Sequence, residues 1–96
     1  GGLRSAMLFM VIAHFDQARV KDVYARFQHS GRMAPAGVRY VESWVSADLG
    51  RCFQVMECDD VALLQEWVLQ WNDLVRFEIV PVSTSKAAAA AITKTD

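Results

Sequence analysis

The sequence predicts an α+β domain in which a four-stranded antiparallel sheet carries two helices on one face. Three observations lead there. Four runs rich in β-branched and aromatic residues occur between Met7 and Val82. Two segments with apolar residues at helical spacing separate the first run from the second and the third from the fourth. Only the turn residues Asp48-Leu49-Gly50 separate the middle pair.

Each element has its own signal. Met7-Leu-Phe-Met-Val-Ile-Ala-His-Phe15 is an apolar run that reads as a buried strand. Asp16 is a candidate N-cap for a helix in which Val20, Val23, Tyr24 and Phe27 share one stripe; Gly31 fits its C-cap, and Pro35 and Gly37 mark the following loop. Val38 to Val45 is the second strand, and Arg51 to Glu57 returns from it as a hairpin. Asp59 or Asp60 can cap a second helix whose stripe runs through Leu64, Trp67, Val68, Trp71, Leu74 and Val75. Arg76 to Val82 is the last strand, and Pro81, which cannot donate to a ladder, assigns it to an edge. The order β-α-β-β-α-β is the ferredoxin-like, or split βαβ, arrangement. Right-handed crossovers then give the strand order 4-1-3-2 with both helices on one face.

Size and composition set the limits. Ninety-six residues make one domain, expected over residues 7–82. Residues 1–6 read as a leader or non-native remnant ahead of Met7, with no signal-peptide pattern. Residues 83–96 form an alanine-rich tail that could make a short helix, marginal alone and so expected to rest against something. Apolar residues are 53% of the chain and charged ones 22%, which suits a folded core rather than disorder. A net charge of -1 provides no field for nucleic acid or anionic membrane. No apolar run approaches the roughly 20 residues that cross a bilayer. Cys52 and Cys58 stand roughly 20 Å apart along one strand, too far to pair, so reduced thiols and a cytoplasmic location are expected.

Parity divides the sheet into two faces. Phe9, Val11 and Ala13 suit the helix side, with Val41, Ser43 and Val45, Phe53 and Val55, and Phe77 and Ile79. The other face would hold Leu8, Met10, Ile12 and His14, then Tyr40, Glu42 and Trp44, then Cys52, Gln54 and Met56, then Arg76, Glu78 and Val80. Arg39 and Glu57 strain this division by falling on the helix side, near strand ends. Leaving the second face in water would expose more apolar surface than most soluble monomers tolerate. A second copy of the sheet, packed face to face about a two-fold axis, would cover it.

On that face the strand ends meet. His14, Glu42, Trp44, Gln54 and Glu78 are expected to converge with Tyr40 around one half-buried cavity. Carboxylates near an imidazole in a dry site can carry general acid–base chemistry, and equally a structural hydrogen-bond network. As catalytic residues His14 would be the base and Glu42 or Glu78 its orienter or acid; Tyr40, Trp44 and Gln54 would contact the ligand. As structural residues, the two glutamates would form salt bridges with Arg32, Arg39, Arg51 or Arg76, and Trp44 would anchor a dimer. Trp67 and Trp71 read as core packing, and His29 as a helix-terminal cation.

Other chemistries find no purchase. The cysteines and histidines have no metal-ligand spacing, and there is neither a glycine-rich phosphate loop nor a nucleophile elbow, so no metal or cofactor is expected. RNA-recognition domains share the element order, but their third strand carries a basic-glycine-aromatic signature. Here that strand reads Arg51-Cys-Phe-Gln-Val-Met-Glu57, which lacks it.

The blocks Met7-Leu-Phe-Met-Val-Ile12, Gly37-Val-Arg-Tyr-Val-Glu-Ser-Trp44, Arg51-Cys-Phe-Gln-Val-Met-Glu57 and Phe77-Glu-Ile-Val-Pro-Val82 resemble a family of small bacterial domains of unknown function. That family looks like a member of the dimeric α+β barrel superfamily. The resemblance covers Met7 to about Val82. It implies a homodimer whose two sheets enclose a barrel, with a small, often aromatic or hydrophobic molecule bound between sheet and helices or in the barrel. Relatives include cofactor-independent monooxygenases, muconolactone isomerases and stress-response proteins, and no catalytic motif of theirs maps cleanly onto this chain.

Two functions therefore stand side by side. One is a cytoplasmic homodimer that binds a small organic molecule, as a cofactor-free oxygenase or isomerase if it is an enzyme. The other is a non-enzymatic interaction domain whose second sheet face is consumed by the dimer contact. A monomer that docks a different protein through the same face is a third reading.

Overall fold

The computed structural model describes residues 6–94. The expected leader, residues 1–6, lies almost wholly outside them. The chain is an α+β domain built on a four-stranded antiparallel sheet of order β2-β3-β1-β4, which read from the other edge is the 4-1-3-2 expected above.

β1 (Met7–Phe15) lies at the centre, paired to β3 (Arg51–Cys58) and to β4 (Val75–Val82). Its apolar content on both faces is what a central strand requires. Phe9, Val11 and Ala13 are buried under the helices, Val11 completely. β4 is an edge strand, where Pro81 is tolerated opposite Phe9.

Asp16 accepts a hydrogen bond from the Ala18 amide at 3.0 Å and starts a 3-10 turn, Gln17–Arg19, that leads into α1 (Val20–Ser30). Gly31, at φ +68°, ends α1 by donating its N–H to the Phe27 carbonyl at 2.7 Å. The loop to β2 (Arg39–Val45) turns at Gly37, whose φ is +96° and whose added Cβ would stand 2.9 Å from Leu63 Cδ1. Asp60 caps α2 (Val61–Leu69), accepting from the Ala62 amide at 2.9 Å.

α2 is shorter than its apolar stripe. After Leu69 the backbone tightens into turns, with Gln70 N–H to Trp67 O and Trp71 N–H to Val68 O, both at 3.0 Å. Because i+3 spacing is common to helices and 3-10 turns, Trp71 and Leu74 still land in the core, and Val75 opens β4. Leu64, Trp67, Trp71 and Leu74 pack from this side, and Val23 from α1. The tail forms α3 (Ser85–Lys94), with Thr84 Oγ1 accepting from the Ala87 amide at 3.0 Å. It does not rest on the core: all its described residues are exposed, Ile92 to 71%.

The register corrects the assignment of faces on two strands. Cross-strand partners share a face, and Val11 opposes Gln54, Phe9 opposes Met56 and Ala13 opposes Cys52. Cys52, Gln54 and Met56 therefore lie under the helices, where Met56 is 0% exposed, and Phe53 and Val55 belong to the open face beside Ile12 and Met10. Both parities of β3 carry apolar residues, so hydrophobicity alone did not choose between them. On β2 a bulge at Val41 breaks the alternation: Tyr40 opposes Met56, while Glu42 opposes Val55. Tyr40 moves to the helix side and Arg39 to the open face, where it opposes and ion-pairs with Glu57. The strain noted for Arg39 and Glu57 is thereby removed.

Candidate functional site

A cavity lies between the helix side of the sheet and the two helices. It measures about 170 Å³. Its floor comes from Ala13, Ser43, Val45, Cys52, Gln54 and Phe77, and its roof from Val23, Tyr24 and Phe27 of α1 with Trp67 and Trp71. The lining is apolar apart from a few groups, which is the ordinary make-up of a small-molecule site.

Arg32 is the charged group at this cavity. The loop that carries it is fixed by two hydrogen bonds, since its carbonyl accepts the indole N–H of Trp67 at 2.8 Å and that of Trp71 at 2.9 Å. Its side chain is fixed as well. Nε donates to Oε1 of Gln54 at 3.0 Å, and the guanidinium carbon sits 3.7 Å from the Tyr40 ring centroid and 5.2 Å from that of Phe27. Tyr40 is in turn held by a 2.8 Å hydrogen bond between its hydroxyl and that of Ser43. Burial pushes the Cys52 thiol up, with the positive charge of Arg32 opposing that shift, so Cys52 is a neutral wall near neutral pH.

The structure separates the six expected site residues into two groups. Gln54 lies under the helices and lines the cavity, and Tyr40 stacks on Arg32 at its edge. His14, Glu42, Trp44 and Glu78 lie on the open face, on the far side of the sheet. The expected convergence of all six therefore does not occur, for the reasons of register and bulge given above. Two of the four do meet: His14 Nε2 is 3.6 Å from Glu78 Oε1. That nitrogen is buried and has no hydrogen-bond partner among the described residues. Glu42 turns back on its own strand, accepting from the Ser43 amide at 2.9 Å, and Trp44 is 55% exposed.

A model of the family described as a domain of unknown function (DUF3303) matches residues 7–96. The chain belongs to this family. No curated protein and no solved structure matches it. The DUF3303 match reaches through α3, which the sequence resemblance had left out.

Sequence reasoning did not place Arg32 at the candidate site of this DUF3303 domain. A weak signal existed, because Arg32 is the only charged residue between Gly31 and Val38. An isolated charge in an otherwise apolar loop is paired, exposed or at a site, and sequence spacing cannot choose among these. Cys52 shares the parity of Gln54 and was placed with it, but it was read only as a reduced thiol and not as a wall of the cavity. Among the described residues no three His, Cys, Asp or Glu side chains gather as metal ligands, and no helix is long and apolar enough to cross a membrane.

Proposed function

We propose that this domain is a small-molecule-binding protein that works as a homodimer of ferredoxin-like subunits. The ligand occupies the cavity between sheet and helices, and the open sheet face joins the two copies. The observation that carries the binding reading is the 170 Å³ apolar cavity with a buried Gln54 and the pinned Arg32 at its wall. Its polar groups suit recognition more than proton transfer. Arginine stays protonated at any working pH, and the Cys52 thiol is held neutral by burial. Supporting the dimer, the open face carries Leu8, Met10, Ile12, Phe53, Val55 and Trp44 in adjacent rows. Water-covered, these rows make the kind of patch that soluble proteins bury against a partner. The two free cysteines fit a reducing, cytoplasmic setting.

A second reading is favoured by His14. In a dimer closed over the open face, His14 and Glu78 would sit inside the barrel as an acid–base pair. Glu42 and Trp44 would stand near the seam, and the chemistry would be cofactor-free oxygenation or isomerisation. The buried Nε2 of His14 supports it: among the described residues it makes no hydrogen bond, with Glu78 Oε1 3.6 Å away, and such an atom ordinarily makes one.

Native mass spectrometry on gently purified protein tests both the assembly and the ligand. A dimer with a stoichiometric small mass that His14→Gln retains supports the cavity reading. Loss of that mass in His14→Gln moves the site into the barrel. A dimer without added mass favours a purely structural contact, and a monomer refutes the homodimer.

A further inference from the structure

We propose that the cavity takes a small carboxylate with a single-ring or similarly sized apolar body, its anionic head held by Arg32 and Gln54. This rests on the proposal that the cavity is a binding site, and adds the class of ligand.

The charge of Arg32 is the starting point. Arginine is almost never buried unless paired, and Arg32 is half-buried. Yet it belongs to none of the ion pairs among the described residues, which join His14 to Glu78, Arg19 to Asp22, Arg26 to Asp73 and Arg39 to Glu57. Its neighbours supply aromatic faces and a neutral amide instead of a carboxylate. A cation in such surroundings has lost water without gaining a counter-charge.

Its geometry is prepared for an anion. The Nε donor is spent on Gln54, and the Tyr40 ring lies against the guanidinium carbon. The two terminal nitrogens remain, and a guanidinium presents such donors as a planar fork that matches a carboxylate. With its oxygen occupied by Arg32, Gln54 has its NH2 group left as a further donor beside the same site. Two indole N–H groups hold the Arg32 backbone, so little ordering is left to be done on binding.

The size of the cavity sets the body of the ligand. An apolar cavity of about 150 Å³ accommodates a benzene molecule, and this one measures about 170 Å³. Val23, Phe27, Val45, Trp71 and Phe77 offer such a body an apolar wall. The ligand that satisfies both parts is an aromatic or short aliphatic acid.

Benzoate and benzyl alcohol test this, because they share a ring and differ in charge. Each is titrated into the full chain carrying Trp44→Phe, so that emission reports Trp67 and Trp71, which line the cavity. Benzoate is expected to bind at least about tenfold more tightly than benzyl alcohol, the scale of a charged hydrogen-bonded contact. Arg32→Met should abolish that preference while leaving benzyl alcohol unchanged, and Arg32→Lys, which keeps the charge, should restore part of it. Circular dichroism on each variant shows that the fold is retained; should Arg32→Met not fold, Arg32→Lys and the benzoate preference of the Arg32 chain decide. Equal affinity for the two probes overturns the carboxylate and leaves the cavity as a binding site. Binding of neither probe, with octanoate also inert, removes the cavity reading and the carboxylate together. Weakened subunit association in Arg32→Met would assign the counter-charge to the partner copy and overturn the proposal.

Discussion

Arg26 and Asp73 form a two-pronged ion pair, with Nη1–Oδ1 at 2.7 Å and Nη2–Oδ2 at 2.8 Å, that ties α1 to the turn after α2. The hydrogen bonds from Arg26 hold the Asp73 carboxyl at about 2, against an ordinary 3.8. A carboxyl depressed in the folded state adds stability above its unfolded pKa and loses it as pH falls through the folded one. The contribution of Asp73 should therefore be complete above about pH 5, fall through the range between the two values and be gone only near about pH 1. Both groups meet water, so its size is modest. Urea midpoints measured from pH 5 to pH 2 should fall less steeply for Asp73→Asn than for the unaltered chain. An unchanged slope would show that the pair does not persist in solution.

The two parities of β3 should respond differently to truncation. Met56 is fully buried beneath the helices, so Met56→Ala should cost about 2–5 kcal/mol by chemical denaturation. Val55 lies on the open face beside Met10, and in a dissociated subunit Val55→Ala should cost less than about 1 kcal/mol. The reverse ranking would mean that β3 has slipped by one residue.

Association through the open face is tested by Val55→Lys. In the proposed dimer a lysine placed among Met10, Ile12 and Phe53 would be desolvated without a counter-charge on the open face. Sedimentation should show a folded monomer. A persistent dimer would locate the interface elsewhere.

Gly37 has a positive φ and sits against the side chain of Leu63. Gly37→Ala should destabilise the domain by about 1–3 kcal/mol, the cost of a side chain in that backbone region. Gly31 also has a positive φ but has no atom within 4 Å of an added Cβ, so Gly31→Ala should retain the packing and lose only the backbone preference. Thermal midpoints of the two variants separate strain from crowding.

The fold was legible because β1, the two caps and the hairpin turn each carry a local signal. Gly31 ends α1 as its spacing placed it, Asp60, one of the two candidates, caps α2, and Asp16 caps the 3-10 turn that leads into α1 rather than α1 itself. The end of α2 was not legible, since Trp71 and Leu74 keep helical spacing while the backbone tightens into turns. The site was legible only in fragments. Gln54 was expected to contact a ligand and does line the cavity, but it was assigned to the wrong face, because Phe53 and Val55 are as apolar as Cys52 and Met56. Tyr40 was misplaced by the bulge, a feature that no residue type near Val41 announces. Arg32 depends on contacts with residues up to 39 positions away, which no local pattern encodes.

The bulge at Val41 also makes one residue of β2 removable without disturbing either face. The extra residue is taken up between Tyr40 and Glu42, so that Tyr40 stays against Arg32 and Arg39 beside Glu57. In a relative lacking it, the pairing of Tyr40 with Met56 would run directly into that of Glu42 with Val55, and both flanking residues would keep their sides. A strand that kept the residue but paired without a bulge would instead send Tyr40 to the open face and Arg39 beneath the helices. Among homologous sequences a one-residue gap should thus be tolerated here with the neighbouring residue types unchanged.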